Sequence, residues 1–275
     1  MADIAAGTGQ DLALASYPKS GNTWLRFIVF CLLHRRAPKD SFEIDRLIDS
    51  DVAKLGEGRG VIKKTHYGRD ALAPRLGPDS RVIYVYRHPL DVMQSALHYA
   101  TLTGELPAPT SQADRDAWVA RYIAHGGNPL WHGSPYFTGG WGENVDGWLS
   151  GGPWRLLVLK YEDLIDNPRR EVAKVAEFLG VDVSGGLVEA CVAATSFTEL
   201  KAFEEREIDR ATATGKTEGR FTDRTRRSAL ATGARFFRTG RAGSYADVFT
   251  PEEIDAAWRA FSPQSERLGY APKPA

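Results

Sequence analysis

The stretch LALASYPKSGNTWL, Leu12 to Leu25, limits what this chain can fold into more than any other. Leu12 to Ser16 is a short apolar run that predicts a buried strand. Thr23 to Leu33 is apolar nearly all round, which predicts a buried helix. Lys19, Ser20, Gly21, Asn22 and Thr23 occupy the turn between them. A helix N-terminus offers unpaired backbone N–H groups and the positive end of its dipole. Gly21 lets a ligand come close to the backbone. Such a strand–turn–helix is a cradle for an anion, a phosphate or a sulfate. The usual triphosphate loop runs G-x-x-x-x-G-K-S/T, with its lysine behind the last glycine. Here Lys19 precedes Gly21, which excludes a standard ATP loop.

Three further strands end in polar residues. Gly60 to Thr65 runs into His66, Arg81 to Tyr86 into Arg87, and Trp154 to Lys160 into Tyr161. An imidazole titrates near neutrality and suits proton removal from a hydroxyl, so His66 is a candidate base. Lys64 stands where it could reach a transferring group or a phosphate. Pro89 fits the first position of a helix, and Ser95 follows Arg87 by eight residues. A guanidinium fork and a hydroxyl can both donate to phosphate oxygens. Asn167-Pro168 opens another helix, with Val172, Val175, Ala176 and Leu179 as its apolar stripe and Gly180 at its end. Strands alternating with helices from residue 11 to about 180 predict an α/β fold, a three-layer parallel sheet with helices on both faces.

These junctions resemble, in order, the motifs of the PAPS-dependent sulfotransferases. Tyr17 to Trp24 resembles the 5′-phosphosulfate loop YPKSGTTW, with Asn22 for the first threonine. Lys64-Thr65-His66 resembles the Lys-Thr-His element, and Arg87 with Ser95 the 3′-phosphate element. Tyr161-Glu162-Asp163-Leu164 with Asn167-Pro168, and Thr195-Ser196-Phe197 with Lys201, resemble adenine-side segments. Phe236 to Tyr245 resembles the RKGxxGDW loop, keeping Arg238, Gly240 and Gly243 but with Thr239 in place of lysine. The resemblance implies a P-loop-like sulfotransferase fold and an EC 2.8.2 type enzyme that moves a sulfuryl group from PAPS to a small-molecule hydroxyl, leaving PAP, with no metal. It implies that His66 is the base, that Lys19 and Lys64 assist transfer, and that Ser20, Gly21, Asn22 and Thr23 hold the 5′-phosphate. Trp24, Tyr161, Thr195 and Phe197 then border adenine, and Arg87, Ser95, Arg238, Thr239 and Gly240 hold the 3′-phosphate. Losing the lysine at position 239 removes a charge, for which Arg241 is the candidate replacement. The alternatives are a non-catalytic PAP-binding module and a P-loop kinase-like phosphotransferase. A kinase requires a metal-binding carboxylate at a strand end, where this chain has Arg87.

With 275 residues the expectation is one domain over 1–275. Residues 101–150, rich in Gly, Pro and aromatics, read as an acceptor-side lid that points to an aromatic or glycosylated natural product, as in bacterial secondary metabolism. His125 and His132 fall there as loop residues. Residues 203–235 read as a charged, mobile segment. Thirty-five basic and thirty-five acidic residues cancel, which disfavours a nucleic-acid partner. Neither a signal peptide nor a membrane span is evident, and Cys31 and Cys191 fit buried reduced thiols, so a cytoplasmic setting is expected. Oligomeric state is open, a homodimer included.

Overall fold

The computed structural model describes residues 10–57, 59–107, 109–128, 139–215 and 233–272. Its centre is a five-stranded sheet in the order β2-β3-β1-β4-β5, every pair parallel. The strands are β1 (Leu12–Ser16), β2 (Ile48–Asp49), β3 (Ile62–Thr65), β4 (Arg81–Tyr86) and β5 (Arg155–Lys160). β1 is central and buried along its length, as its unbroken apolar run requires. Alternate residues of β1 and β4 serve two cores. Leu12, Leu14, Ile83 and Val85 pack with α1 (Asn22–His34), α8 (Pro168–Leu179) and α9 (Leu187–Ala194). Ala13, Ala15, Val82 and Tyr84 pack with α4 (Pro89–Leu102), α5 (Gln112–Ala124), α6 (Trp141–Leu149) and a last helix, here α11 (Pro251–Arg267). The expected three layers are therefore present. The remaining helices are α2 (Ser41–Leu47), α3 (Arg69–Leu72), α7 (Tyr161–Asp166) and α10 (Phe197–Thr214).

The strand order determines where a ligand sits. From β1 the chain passes to the edge at β2, returns to β3 beside β1, then crosses to β4 on the other side of β1. In such sheets a crevice opens at the carboxyl ends of the strands where the winding reverses. Tyr17, His66, Arg87 and Tyr161 each follow the last residue of a strand, so parallel pairing brings them to one edge.

Two segments differ from expectation. The described part of 101–150 is largely helical, and Trp118, Tyr122, Trp141 and Trp148 are fully buried in the core beside Tyr84. Its aromatics fill the space between helices; Trp131, His132, Tyr136 and Phe137 lie outside the described residues. His125 closes α5, its ring against the Arg121 carbonyl. Residues 203–214 continue α10 rather than forming a solvated segment, because Phe203, Glu204, Glu207 and Ala211 recur on one buried face. Residues 216–232 lie outside the description. Among the described residues no helix is long and apolar enough to cross a membrane, and no cluster of His, Cys, Asp and Glu suits a metal ion.

Candidate active site

The turn after β1 carries visible backbone strain. Lys19 has φ 68°, in the left-handed region that costs a non-glycine residue about 1–2 kcal/mol. Gly21, at φ 105°, is the N-cap of α1, and among the described residues no side chain caps that helix end. The first turn of α1 holds no acidic residue either. Its N–H groups and dipole therefore face the crevice uncompensated. The glycine is required for a further reason: a Cβ here would lie 2.6 Å from the Tyr161 ring. Gly21→Ala is expected to destabilise the fold by about 2–4 kcal/mol, combining overpacking with backbone strain. Chemical denaturation measures this, and a loss under 1 kcal/mol would show that Tyr161 moves aside freely.

A cavity of about 400 Å³ opens over this turn. Of the site residues named from the sequence, Lys19, Gly21, Asn22, Thr23, Trp24, Lys64, His66, Arg87, Ser95, Tyr161, Phe197, Arg238, Thr239 and Gly240 line it. Two predicted residues do not. Ser20 is fully buried behind the loop, its Oγ without a hydrogen-bond partner among the described residues. Thr195 is buried at the end of α9, where its hydroxyl donates to the Cys191 carbonyl at 2.8 Å, so it closes a helix rather than walling the cavity. Arg241 also stays away: it is exposed and paired with Asp247 at 2.7 Å, so nothing there replaces the missing lysine. No described residue of 101–150 reaches the cavity.

Among the described residues five cationic side chains line the cavity, Lys19, Arg26, Lys64, Arg87 and Arg238, against one carboxylate, Asp45. A chain of zero net charge has gathered cations at one place, which calls for an anionic ligand. Arg87 lies over the Tyr161 ring at 4.3 Å and Arg238 bonds the Ser244 hydroxyl at 3.2 Å. Neither forms an ion pair among the described residues, and burial and the Arg87 charge together pull the Arg238 pKa down. Lys19 Nζ lies 4.2 Å from the ring centres of both Tyr99 and Phe236. Burial, then the charges of Arg87 and Lys64, lower its pKa to about 7. Among the described residues Trp24 Nε1 and Arg87 Nε, both on the cavity wall, are buried donors with no partner. Unsatisfied buried donors beside unpaired cations fit a multiply charged ligand that supplies acceptors.

His66 is oriented by the end of β1. Its Nδ1 lies 3.0 Å from the Ser16 carbonyl oxygen, which only accepts, so Nδ1 carries the proton and Nε2 keeps its lone pair. Burial, then the charges of Lys64, Lys19 and Arg26, outweigh that bond and push the imidazole pKa down to about 3. The ring is neutral at physiological pH.

Sequence reasoning missed other wall residues. His98 and Tyr99 stand three and four positions after Ser95 on α4, a spacing that places them on one face. Arg26 is buried, paired with Asp45 and donating to the Ile48 carbonyl at 3.3 Å. With Ser50 these form a polar part of the wall that no local motif announces.

Comparison with known proteins places this geometry. A flavonol 3-sulfotransferase of Flaveria bidentis is 26% identical, covering 89% of this chain and 78% of its own length. A 3-alpha-hydroxysteroid sulfotransferase of Cavia porcellus is 27% identical over 96% and 86%. The fold is shared with a mouse sulfotransferase solved with PAP, at TM-score 0.63 and 20% identity over 98% of this chain and 94% of that one. The sulfotransferase domain matches residues 9–269, nearly the whole chain, and the protein therefore belongs to the sulfotransferase family.

Proposed function

We propose that the cavity binds PAPS and that the chain transfers its sulfuryl group to a hydroxyl of a small-molecule acceptor, leaving PAP. One observation carries the reading: a single cavity joins the helix N-terminus at Lys19–Thr23 to a second cationic site at Arg87 and Arg238, the first without a side-chain cap and the second without an ion pair among the described residues. A nucleotide bearing phosphates at both its 3′ and 5′ positions matches both, and ATP matches only the first. Gly21, Asn22 and Thr23, with Ser20 behind them, take the 5′-phosphate. Trp24, Tyr161 and Phe197 border the adenine; Trp24 and Tyr161 meet edge to face at 5.6 Å. Arg87, Ser95 and Arg238, with the Thr239–Gly240 backbone, take the 3′-phosphate. Bound PAPS supplies the sulfuryl group and a stable leaving phosphate. His66 Nε2 accepts the acceptor's proton, Lys64 faces the transferring group, and Lys19 neutralises charge on the departing 5′-phosphate oxygen. No residue holds a metal in this scheme.

The relatives are named for flavonols and steroids, and one Arabidopsis relative is named cytosolic, which supports a hydroxyl-bearing small molecule and a cytoplasmic setting. Of an aromatic and a glycosylated acceptor, the wall around His66 favours the second. Arg26 acts on His66 through its charge and holds Asp45, and Ser50 and Lys64 line the same cavity. These groups exchange hydrogen bonds with vicinal hydroxyls better than they cover a flat apolar ring. With PAPS and equal concentrations of p-nitrophenol and p-nitrophenyl β-glucoside, mass spectrometry is expected to show a gain of one SO₃ chiefly on the glucoside. Preferential sulfation of the free phenol would reverse that choice. Absence of transfer to a broad hydroxyl panel, despite PAP binding, would favour a binding module instead.

A further inference from the structure

The segment from Arg235 to Tyr245 carries Arg238, Thr239 and Gly240 across the cavity, and two buried carboxylates hold its ends. At the first end Glu204 of α10, 7% exposed, spends both oxygens on the backbone. Oε1 accepts from the Phe236 N–H at 2.6 Å and Oε2 from the Phe237 N–H at 3.0 Å. His98 Nε2 donates to the Arg235 carbonyl at 2.7 Å, and the Arg235 side chain pairs with Glu205. At the second end Asp91 of α4, fully buried, accepts from the Gly243 N–H at 2.7 Å and the Tyr245 N–H at 3.3 Å. Gln94 reinforces it: its Nε2 donates to the Ser244 carbonyl, and its Oε1 accepts from the Ser244 hydroxyl, which in turn accepts from Arg238. Gly240 lies so close to the Phe197 ring that a Cβ would approach to 2.4 Å. A carboxylate that accepts two backbone N–H groups makes strong, geometrically exacting bonds, and a buried one has no water to fall back on.

We propose that Glu204 and Asp91 are positioning residues for the nucleotide. By clamping this segment at both ends they place Arg238 and the Thr239–Gly240 backbone on the 3′-phosphate without touching it. The inference rests on the assignment of Arg238 to that phosphate. It predicts a selectivity effect, because AMP lacks the group the clamp serves.

Calorimetric titration of the full chain with PAP and with AMP tests it. Glu204→Gln keeps the shape of the side chain but leaves one N–H facing an amide NH₂; Asp91→Asn does the same at the other end. Each is expected to lower the PAP-over-AMP affinity ratio about tenfold, the scale of a lost charge-assisted bond, with AMP affinity itself within about twofold. Arg238→Ala should cost less in the Glu204→Gln background than alone, because both act on one contact. In the wild-type chain, hydrogen exchange at the Phe236, Phe237 and Gly243 amides should slow with PAP and not with AMP, a readout that needs no variant. Equal losses for PAP and AMP would mean general packing and would overturn the proposal. So would an unchanged ratio in both variants while Arg238→Ala collapses it, which would leave the assignment of Arg238 intact. A wild-type chain with no preference for PAP would instead remove the assignment, and the clamp with it.

Discussion

His66→Ala is expected to lower turnover about 10³-fold while PAP binds within about threefold of wild type, since a positioned general base contributes roughly 10²–10⁴. Rapid-quench transfer from PAPS together with PAP calorimetry separates the two. The expectation rests on geometry first: the Ser16 carbonyl holds Nδ1–H, so the bare Nε2 is the only ring atom left to take a proton. The pKa adds a second, independent signature. A base must be neutral to act, so activity fails as pH falls through its pKa. In the free protein that pKa is pushed down to about 3, by burial and then by the charges of Lys64, Lys19 and Arg26. The acid limb of kcat/KM for PAPS should therefore lie well below pH 6, with little loss between pH 7 and 5.5. The limb of kcat belongs to the loaded enzyme, where added phosphate charge raises the imidazole pKa, and should lie at higher pH. A kcat/KM limb at pH 6.5 would mean that His66 is solvated, and near-normal turnover in the alanine variant would remove it from the mechanism.

Lys19→Met carries the second large effect. Loss of the cation at the leaving oxygen is expected to cost about 10²–10³-fold in the transfer step, the range for removing one preorganised charge-stabilising donor. Lys19 also makes nucleotide binding depend on pH. Burial, then Arg87 and Lys64, lower its pKa to about 7, so above that pH the free protein holds it largely neutral. A bound phosphate favours the charged form, so binding above pH 7 must take up a proton, and below pH 6 it need not. PAP affinity should fall by up to about tenfold per pH unit between pH 7.5 and 9 and stay nearly flat below 6.5. Calorimetry at pH 8 in buffers of different ionisation enthalpy should register uptake approaching one proton, absent in Lys19→Met. Equal pH dependence in the two proteins would assign the titration elsewhere.

The positions of Lys19, His66, Arg87 and Tyr161 were legible because each is a local event: the last three directly follow a strand, and Lys19 lies in the turn between β1 and α1. Parallel pairing carries any such set to one edge, so strand order alone assembles them. The stripe that makes 203–214 helical was equally local, but interspersed charges concealed it. Thr195 has the right neighbours and the wrong direction: its hydroxyl turns back to its own helix, a choice made by packing at the end of α9.

The amino-acid sequence by itself determined four of the five described strands, the turn at Lys19–Thr23 and the strand-end positions of His66, Arg87 and Tyr161, because periodicity, capping and turn chemistry act between near neighbours in the chain; the short edge strand β2 reads in the sequence as part of a turn. Only the tertiary structure decided that the aromatics of α5 and α6 fill the core instead of facing a ligand, that Arg26 meets Asp45 beside the cavity, and that Glu204 and Asp91 hold the segment bearing Arg238. Those polar contacts join residues from 19 to 154 positions apart. Their partners are chosen by burial, which strips water from a polar group and obliges it to bond to whatever the fold has brought within reach.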